Sequence, residues 1–238
     1  MKNIKIGVAI TVHNLTTERK KISEDCVSRV LRHVPEDTEV VIVDDASTLK
    51  SDWWRYHPKD FTLHTFKERQ GVARAKNKCV EILLSKGCTD IFLFDDDVWV
   101  NNPDIYFQYS YQSLPYLNLH CKGHFDNPKT IKSHFVYKGQ KYIEATSFGS
   151  SLYYKAAIFD VIGGFNILLG KFGEEHGELE ERIYTAGYSP KPSFDFYRPN
   201  GNYPITPHPA TFHGFSSVKP TEKVALIRSA QKARSIYG

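Results

Sequence analysis

The chain has 238 residues, of which 41% are hydrophobic and 24% are charged, a composition that excludes a disordered chain and is typical of a globular protein with a substantial core. Its formal net charge of +4 suits an anionic ligand but is too small to indicate nucleic-acid binding by itself. The four cysteines lack the paired spacing of a metal site and do not indicate a disulfide scaffold. We expect Cys26 and Cys79 to be small core residues on helix faces.

No apolar stretch approaches the roughly 18 residues that a membrane-spanning helix needs. The amino-terminal residues also lack the apolar core and the small-residue cleavage site of a signal peptide. We therefore expect no transmembrane segment and, as the default, a cytoplasmic location.

The first hundred residues alternate between strands and helices. The strands are predicted at residues 5–12, 39–43, 61–66 and 91–94, and the helices at residues 22–34 and 72–83. Pro35 ends the first helical pattern, and the pair Lys86–Gly87 ends the second. Because the strands are nearly continuously apolar, the sequence predicts an α/β fold with a mostly parallel sheet covered by helices.

The second half of the chain has a less regular pattern. Residues 101–141 are rich in aromatic residues, histidine and asparagine without a clean period, and we interpret them as an irregular insertion. The later elements are predicted as a strand at 142–154, helices at 155–162 and 176–186, and a basic helix at 221–236. Since no internal repeat divides the chain, we expect a single domain over residues 1–238.

Two acidic clusters directly follow predicted strands: Asp44–Asp45 follows the second strand, and Asp95, Asp96 and Asp97 follow the fourth. Ligands bind at the carboxyl ends of the strands in open parallel sheets. Three adjacent carboxylates repel one another unless solvent or a cation compensates them. The sequence therefore favours a binding site over two solvated turns. Alternation along an extended chain would point Asp95 and Asp97 the same way and Asp96 the opposite way.

Five segments occur in the order found in a known group of enzymes. They are V-D-D-A-S-T (43–48), R-Q-G-V-A-R-A-K-N (69–77), F-D-D-D-V (94–98), F-G-S-S-L-Y-Y-K-A-A-I-F-D-V-I-G-G-F (148–165) and E-E-H-G-E-L-E-E-R-I-Y-T-A-G-Y (174–188). The set resembles glycosyltransferases with the GT-A fold, above all the large family that includes the cellulose and chitin synthases. The last segment is also similar to the E-N-x-E-L-x-x-R motif of polypeptide N-acetylgalactosaminyltransferases.

The resemblance implies a GT-A (Rossmann-like) fold, in which a mostly parallel sheet flanked by helices is joined to an acceptor-side lobe. Residues 1–100 would bind the nucleotide-sugar, residues 101–218 would form the acceptor and catalytic half, and residues 219–238 would be a C-terminal basic helix. The implied reaction is hexosyltransferase-like transfer of a sugar from a UDP-sugar to a hydroxyl acceptor. That acceptor would be a glycan, a lipid-linked sugar, a protein or a modified nucleic acid.

The resemblance also implies a divalent metal, Mn²⁺ or Mg²⁺, because the D-x-D motif of the family contacts a metal that stabilises the diphosphate leaving group. Asp97 would be a direct metal ligand, and Asp95 would lie near the ribose or the metal. His213 would complete the metal shell, with His208 as the alternative histidine. A solvated acidic loop is the structural alternative.

The donor-binding residues that the resemblance implies lie at the ends of strands and at the start of a helix. They are Thr11, His13, Asn14, Asp44, Asp45, Arg69, Gly71, Arg74, Asp95 and Asp96. Asp44 and Asp45 would accept hydrogen bonds from the uracil imide and the ribose. His13 differs from the small polar residue that is usual in the family, and Arg74 stands early relative to the family pattern G-x-x-x-A-R-N. Gly71 would present the N–H groups of a helix start to an anion.

The catalytic candidates are Glu175 and His176, at the start of a predicted helix. At the position of His176, inverting members of the family have an aspartate that deprotonates the acceptor, and histidine can serve as a general base near neutral pH. Glu175 is the alternative base, and a favourable charge at a helix N-terminus is the structural alternative for both. Inversion and retention of the anomeric configuration both stay open. Glu178 and Arg182, four residues apart, predict a structural ion pair.

Other functions compete with this one. A nucleic-acid acceptor with a hydroxylated base is suggested by the basic final helix and by Lys122, Lys129, Lys132, Lys138 and Lys141. A non-catalytic, cation-dependent carbohydrate-binding module would tolerate alanine at both catalytic candidates. A sugar nucleotidyltransferase would need a glycine-rich loop after the first strand, but residues 13–20 contain no glycine.

Overall fold

A computed structural model describes residues 4–52, 60–120, 131–146, 149–169, 174–198 and 203–209. Its strands are β1 (Ile6–Val12), β2 (Glu39–Asp44), β3 (Thr62–Thr65), β4 (Asp90–Asp95), β5 (Val98–Val100), β6 (Tyr116–Asn118), β7 (Ile131–Tyr137), β8 (Gln140–Ala145), β9 (Ser151–Lys155), β10 (Phe194–Phe196) and β11 (Ile205–Pro207). Its helices are α1 (Thr17–His33), α2 (Val72–Ser85), α3 (Asp104–Ser110), α4 (Ala157–Ile162) and α5 (Glu175–Thr185), with a 3₁₀ turn at Ile167–Leu169.

A six-stranded sheet forms the centre of the fold, in the order β3-β2-β1-β4-β9-β6. The strands β3, β2, β1 and β4 are parallel, whereas β9 runs antiparallel to β4 and β6. The predicted mostly parallel α/β sheet is confirmed. Thr11 of β1 pairs with Val43 on one side and with Asp95 on the other. Both acidic clusters therefore reach the same edge, at the point where the strand order reverses and a crevice is expected.

Local sequence explains how the first elements form. Val8 and Ile10 of β1 are fully buried, and a Cβ at Gly7 would lie 2.7 Å from a methyl group of Leu83, so only glycine lets α2 approach this closely. The helix α1 begins where Thr16 accepts a hydrogen bond from the N–H of Arg19 at 3.2 Å. The helix α2 packs on β1 and β2, and α1 packs on β5. The two helices thus support the strands that end at the acidic clusters.

The second half of the chain adds a three-stranded antiparallel sheet in the order β10-β8-β7. Its inner face is aromatic: Phe135, Tyr142, Phe194 and Phe196 contact one another at ring-centroid distances of 5.5 to 5.9 Å. Tyr109 of α3 meets Phe196 edge-on at 5.1 Å. Aromatic pairs of this geometry contribute beyond the area that they bury, so they join this sheet to the main core.

Two predictions for the second half are wrong. Residues 101–141 are not an irregular insertion, because their described part contains α3, β6 and β7. The single strand expected at 142–154 is two strands, β8 and β9, which belong to different sheets and are separated by a turn at Gly149–Ser150. The buried aromatic residues of this half lie in very short elements, so they produce no long apolar period.

Several expectations fall on other parts of the chain. The helix expected at 221–236 lies outside the described residues, as do His213, Lys122 and Lys129. Cys26 and Cys79 are fully buried free thiols, as expected. In the described part of the chain, no helix is both long and apolar enough to cross a membrane. The division into a donor half and an acceptor half stays a prediction.

Candidate functional site

The carboxyl end of β4 carries the three adjacent aspartates. Asp95 ends the strand and accepts a hydrogen bond from Thr11 Oγ1 at 3.1 Å, and its side chain is 30% exposed. Asp96 and Asp97 form the turn into β5. The side chain of Asp96 is only 6% exposed, whereas that of Asp97 is 33% exposed. Asp95 and Asp97 are therefore accessible to a ligand and Asp96 is not, in agreement with the expected alternation.

Two buried cations of the protein offset part of this negative charge. Arg19 of α1 forms a buried ion pair with Asp96 and lies 3.7 Å from Oδ2 of Asp97. The ammonium of Lys76 in α2 lies 3.4 Å from Oδ1 of Asp95. Burial and the carboxylates of Asp95 and Asp96 nevertheless raise the pKa of Asp97 to about 7. The open side of the cluster thus keeps negative charge that a divalent cation would stabilise.

Arg19 is expected to stabilise the fold through Asp96. Arg19→Met would leave the buried carboxylate of Asp96 without its cation, and removing one partner of a buried ion pair costs about 3–5 kcal/mol. We expect this loss of unfolding free energy in urea denaturation at pH 7. Lys20→Met is the control, because Lys20 is 31% exposed and lies 3.7 Å from Glu24; its effect should stay below about 0.5 kcal/mol. Equal effects of the two substitutions would show that Arg19 does not hold Asp96.

The second acidic pair is bound by the protein itself. Asp44 pairs with Nζ of Lys50 at 2.8 Å. Asp45 accepts hydrogen bonds from the N–H of Gln70 at 2.6 Å and from that of Gly71 at 2.8 Å. Gly71 has a φ of +92°, a conformation that favours glycine. Asp45 therefore holds the start of α2 against the end of β2, and recognition of uracil and ribose by these two carboxylates stays a prediction.

Asn14 braces the loop that follows β2. It is fully buried, and its N–H donates to Oγ of Ser47 at 2.7 Å. Its carbonyl oxygen accepts hydrogen bonds from the N–H groups of Thr48 at 3.1 Å and Leu49 at 3.2 Å. Burial and these backbone contacts indicate a structural role, and contact of Asn14 with a donor stays a prediction.

His13 directly follows β1, and only one of its two ring nitrogens has a hydrogen-bond partner among the described residues. Its Nδ1 is 2.7 Å from the carbonyl oxygen of Asp45, so Nδ1 carries the proton and donates. Burial and the nearby Arg69 lower the pKa of His13, which favours the neutral ring. Its Nε2 is then a buried acceptor, and it has no hydrogen-bond partner among the described residues.

Arg74 is exposed on α2, on a different face of the helix from Lys76. It lines a groove of about 620 Å³ together with residues of β3 and of the 3₁₀ turn. Asn77 lines the same groove, but its amide is bound by the backbone of Phe165: Nδ2 donates to the carbonyl oxygen at 2.8 Å, and Oδ1 accepts from the N–H at 2.7 Å. Contact between Arg74 and a donor stays a prediction, as does that of Arg69.

Lys76 is the second basic residue that reaches the acidic cluster, and it was not among the predicted site residues. Its side chain is 1% exposed. Its ammonium donates to the carbonyl oxygen of Gly149 at 2.7 Å and to Oε1 of Glu175 at 3.1 Å, besides its contact with Asp95. Lys76 thus connects the end of β4 to the start of α5.

Glu175 and His176 form a hydrogen-bonded pair at the start of α5. Nδ1 of His176 lies 3.3 Å from Oε1 of Glu175. Burial disfavours the ionised form of Glu175, but the charge of Lys76 together with the hydrogen bond and charge of His176 outweighs burial and holds the pKa of Glu175 far below its usual range. Burial likewise disfavours a charged His176, but the hydrogen bond and charge of Glu175 outweigh it and raise the pKa of His176.

His176 is the more exposed member of this pair. Glu175 is 3% exposed, and its Oε1 is already bound by Lys76 and His176. The His176 side chain is 19% exposed, and no described residue hydrogen-bonds to its Nε2. The arrangement favours His176 as the base and Glu175 as the group that orients it.

Glu178 and Arg182 form the predicted structural ion pair, with Arg182 Nε 2.7 Å from Glu178 Oε1. The guanidinium of Arg182 also donates to the carbonyl oxygens of Ile162 and Gly164, each at 2.6 Å. The pair therefore ties α5 to the end of α4, and its structural role is confirmed.

Asp95 and Asp97 would be the protein ligands of a divalent metal. Their partly exposed carboxylates supply the hard oxygen atoms that Mn²⁺ and Mg²⁺ prefer, so these residues fit such an ion. Among the described residues, no group of three or more His, Cys, Asp or Glu side chains could hold a metal. The remaining ligands would come from the substrate, from water or from His213, which lies outside the described residues.

His208 supports the acidic turn by its backbone. Its N–H donates to the carbonyl oxygen of Asp97 at 2.7 Å. Its ring packs edge-on against Trp99 at 5.1 Å and lies 3.6 Å from Asp25 of α1. These contacts turn the ring toward α1, and a role of His208 as the alternative metal ligand stays a prediction.

Of the lysines that suggested a nucleic-acid acceptor, Lys132, Lys138 and Lys141 are described. All three are exposed on the hairpin of β7 and β8. Exposed lysines are usual on a solvated surface. A nucleic-acid acceptor therefore stays a prediction.

Comparisons with known proteins agree with this architecture, although no protein-family model matches the chain. In sequence, 195 residues are 27% identical to an uncharacterised glycosyltransferase of Acanthamoeba polyphaga mimivirus, over 76% of this chain and 73% of the viral protein. In structure, 84% of the chain is similar to a mannosyltransferase of Pyrobaculum calidifontis solved with GDP-Man and Mn²⁺, with a TM-score of 0.55 and 19% identity. A second solved structure, GalNAc-T7 with UDP, GalNAc and Mn²⁺, is similar to 79% of the chain, with a TM-score of 0.53 and 13% identity.

The chain spans only part of these solved structures: 58% of the mannosyltransferase chain and 42% of the GalNAc-T7 chain. Their similarity to the chain, at TM-scores of 0.55 and 0.53, confirms the predicted fold and the resemblance. The sequence relative is named as a glycosyltransferase, and the two solved structures are a mannosyltransferase and GalNAc-T7. The chain has the fold of the GT-A glycosyltransferases.

Proposed function

We propose that this chain is a metal-dependent glycosyltransferase that moves a sugar from a UDP-sugar to a hydroxyl acceptor. The observation that carries the proposal is the series of contacts from Asp95 through Lys76 to Glu175 and His176. It joins an acidic cluster at a sheet edge to a candidate base in the other half of the chain. GDP-Man with Mn²⁺ in one neighbouring structure and UDP with Mn²⁺ in the other support a nucleotide-sugar donor and Mn²⁺, and the second of them supports UDP.

The donor would bind at the carboxyl edge of the sheet. Asp95 and Asp97 would hold Mn²⁺ or Mg²⁺ together with the diphosphate. When bound, such an ion stabilises the negative charge that develops on the leaving diphosphate. The buried Nε2 acceptor of His13, at the end of β1, suits the N–H of a uracil imide and supports UDP as the nucleotide.

His176 would act as the general base. Its Nε2 would take the proton of the acceptor hydroxyl as the acceptor oxygen bonds to the anomeric carbon and the bond from that carbon to the diphosphate breaks. Glu175, at Nδ1, would fix the tautomer of His176 and stabilise the imidazolium that forms. Direct activation of the acceptor by a general base is the mode of action of inverting transferases, so we propose inversion of the anomeric configuration.

Release of UDP from UDP-sugars by the full chain is the direct test. We expect release with Mn²⁺, a loss of about 100-fold or more with excess EDTA, and recovery when Mn²⁺ is restored. The same assay with GDP-sugars checks the nucleotide, and NMR of the transfer product checks inversion. Binding of UDP-sugar and Mn²⁺ without release would favour the non-catalytic carbohydrate-binding module. Absence of both binding and release with every donor would reject the proposal.

A further inference from the structure

Lys76 occupies a position that the proposed reaction does not yet explain. Its ammonium is buried between two carboxylates from different halves of the chain, 3.4 Å from Asp95 and 3.1 Å from Glu175. We propose that Lys76 is a positioning residue that couples occupancy of the donor and metal site to the placement of the Glu175–His176 pair. This inference rests on the proposed function.

The geometry gives Lys76 two partners for one charge. Its ammonium has three N–H donors, of which one binds the carbonyl oxygen of Gly149 at 2.7 Å and another binds Glu175. The longer contact, with Asp95, is the one that a divalent cation at Asp95 would oppose, because like charges repel strongly in a buried site. With such a cation present, Lys76 would lose attraction to Asp95 and bind Glu175 more strongly.

The effect on catalysis passes through one hydrogen bond. Glu175 orients His176 through Nδ1, so a firmer hold on Glu175 fixes the ring in the geometry that deprotonation needs. Donor loading would thereby complete the base. Because coupling between two sites is reciprocal, the same contacts predict that Lys76 weakens metal binding when the donor is absent.

A merely structural lysine would behave differently. Removing its charge would also favour metal binding, but it would leave the Glu175–His176 pair in place and would therefore not slow turnover of the folded enzyme. If Lys76 competes with the metal for Asp95, removing its charge should tighten Mn²⁺ binding and slow turnover at the same time. This combination separates the two roles.

The experiment uses the full chain with Lys76→Met and Lys76→Arg, and with Lys78→Met as the matched control on the same helix. Calorimetry measures Mn²⁺ affinity, and UDP release gives kcat and KM. For Lys76→Met we expect the Kd for Mn²⁺ to fall at least about fivefold, kcat to fall at least about 100-fold, and the donor KM to change less than about threefold. Lys76→Arg keeps the charge and should bring kcat back to within about tenfold of the parent. Lys78 pairs with Glu81 at 2.6 Å, so Lys78→Met should leave the Kd for Mn²⁺, kcat and KM unchanged.

A second pair of variants keeps the test decisive if Lys76→Met does not fold. Lys76→Met combined with Glu175→Gln removes both buried charges together and is compared with Glu175→Gln alone. Tighter Mn²⁺ binding in the double variant supports the inference, and unchanged or weaker binding overturns it. A parent chain that neither binds Mn²⁺ with UDP nor releases UDP rejects the proposed function, whereas an active parent with a normal Lys76→Met variant rejects only the role of Lys76.

Discussion

Asp97→Asn is expected to lower kcat for UDP release by roughly 10³-fold or more and to weaken Mn²⁺ binding, while the chain still folds. Asparagine keeps the size of the side chain but removes the charge that would bind the metal. Because Asp97 is 33% exposed and its only ion pair among the described residues is the 3.7 Å contact with Arg19, the fold depends little on its carboxylate. Steady-state release assays and Mn²⁺ calorimetry measure the two effects.

The stability of this variant is a second check on the same carboxylate. The pKa of Asp97 is raised to about 7 by burial and by its acidic neighbours, so folding favours its protonated form. That contribution is present below the ordinary aspartate pKa and is lost as the pH rises toward 7. At pH 8 without metal, Asp97→Asn should therefore unfold no more easily than the parent chain. Asp160→Asn, at an exposed position of α4, is the control for both assays, and full activity of Asp97→Asn with Mn²⁺ would exclude Asp97 as a ligand.

The parallel half of the fold could be predicted because each of its main strands is visible in the sequence as a short run of apolar residues. The runs in β1, β2 and β4 are nearly continuously apolar, and polar or acidic residues stand at or directly after their carboxyl ends, so both the strands and the edge where a ligand would bind can be inferred. The second half has no such signal. Its elements include β6 and β10, each of three residues, which are too short for any period to emerge.

The sequence could predict only those parts of the candidate site whose residues lie close together in the chain. Arg19 and Asp96 are 77 residues apart in sequence, and Lys76 and Glu175 are 99 apart, so no local pattern predicts these pairings. Lys76 nevertheless had a signal, because the G-x-x-x-A-R-N pattern counted from Gly71 places its basic residue at Lys76. Arg19 lies on the buried face of α1 with Ile22 and Cys26, but its sequence neighbours Glu18 and Lys20 are also charged, so the sequence did not distinguish it from them.

The acidic pair after β2 shows a different limit of sequence reasoning. Asp44 and Asp45 have the residue type and the position of a ligand site, but the structure uses the carboxylate of Asp45 at the start of α2. A helix start presents free N–H groups to any nearby anion, whether it belongs to a ligand or to the protein. Which of the two binds there depends on the loop between β3 and α2, and composition does not specify its path.

His176→Asn is expected to lower kcat by about 10²- to 10⁴-fold with little change in donor KM or Mn²⁺ affinity, because it removes only the atom that takes the proton. The raised pKa of His176 has a consequence in the parent chain. A base must be neutral to accept a proton, so kcat should fall as the pH falls through that pKa. The residual activity of His176→Asn should lose this dependence on pH. Initial rates of UDP release between pH 5 and pH 9 measure both effects.

Gly149→Ala tests the placement of His176 without changing a titratable group. A Cβ at Gly149 would lie 2.4 Å from Nδ1 of His176, so the ring must move and its hydrogen bond to Glu175 must lengthen. We expect kcat to fall roughly 10- to 100-fold, since small misplacements of a catalytic group have effects of this size. Ser150→Ala, at the next position, is the control and should stay near the parent rate. If His176→Asn and Gly149→Ala were both fully active, His176 could not be the base, and the assignment would pass to Glu175, whose release from Lys76 would then have to precede the reaction.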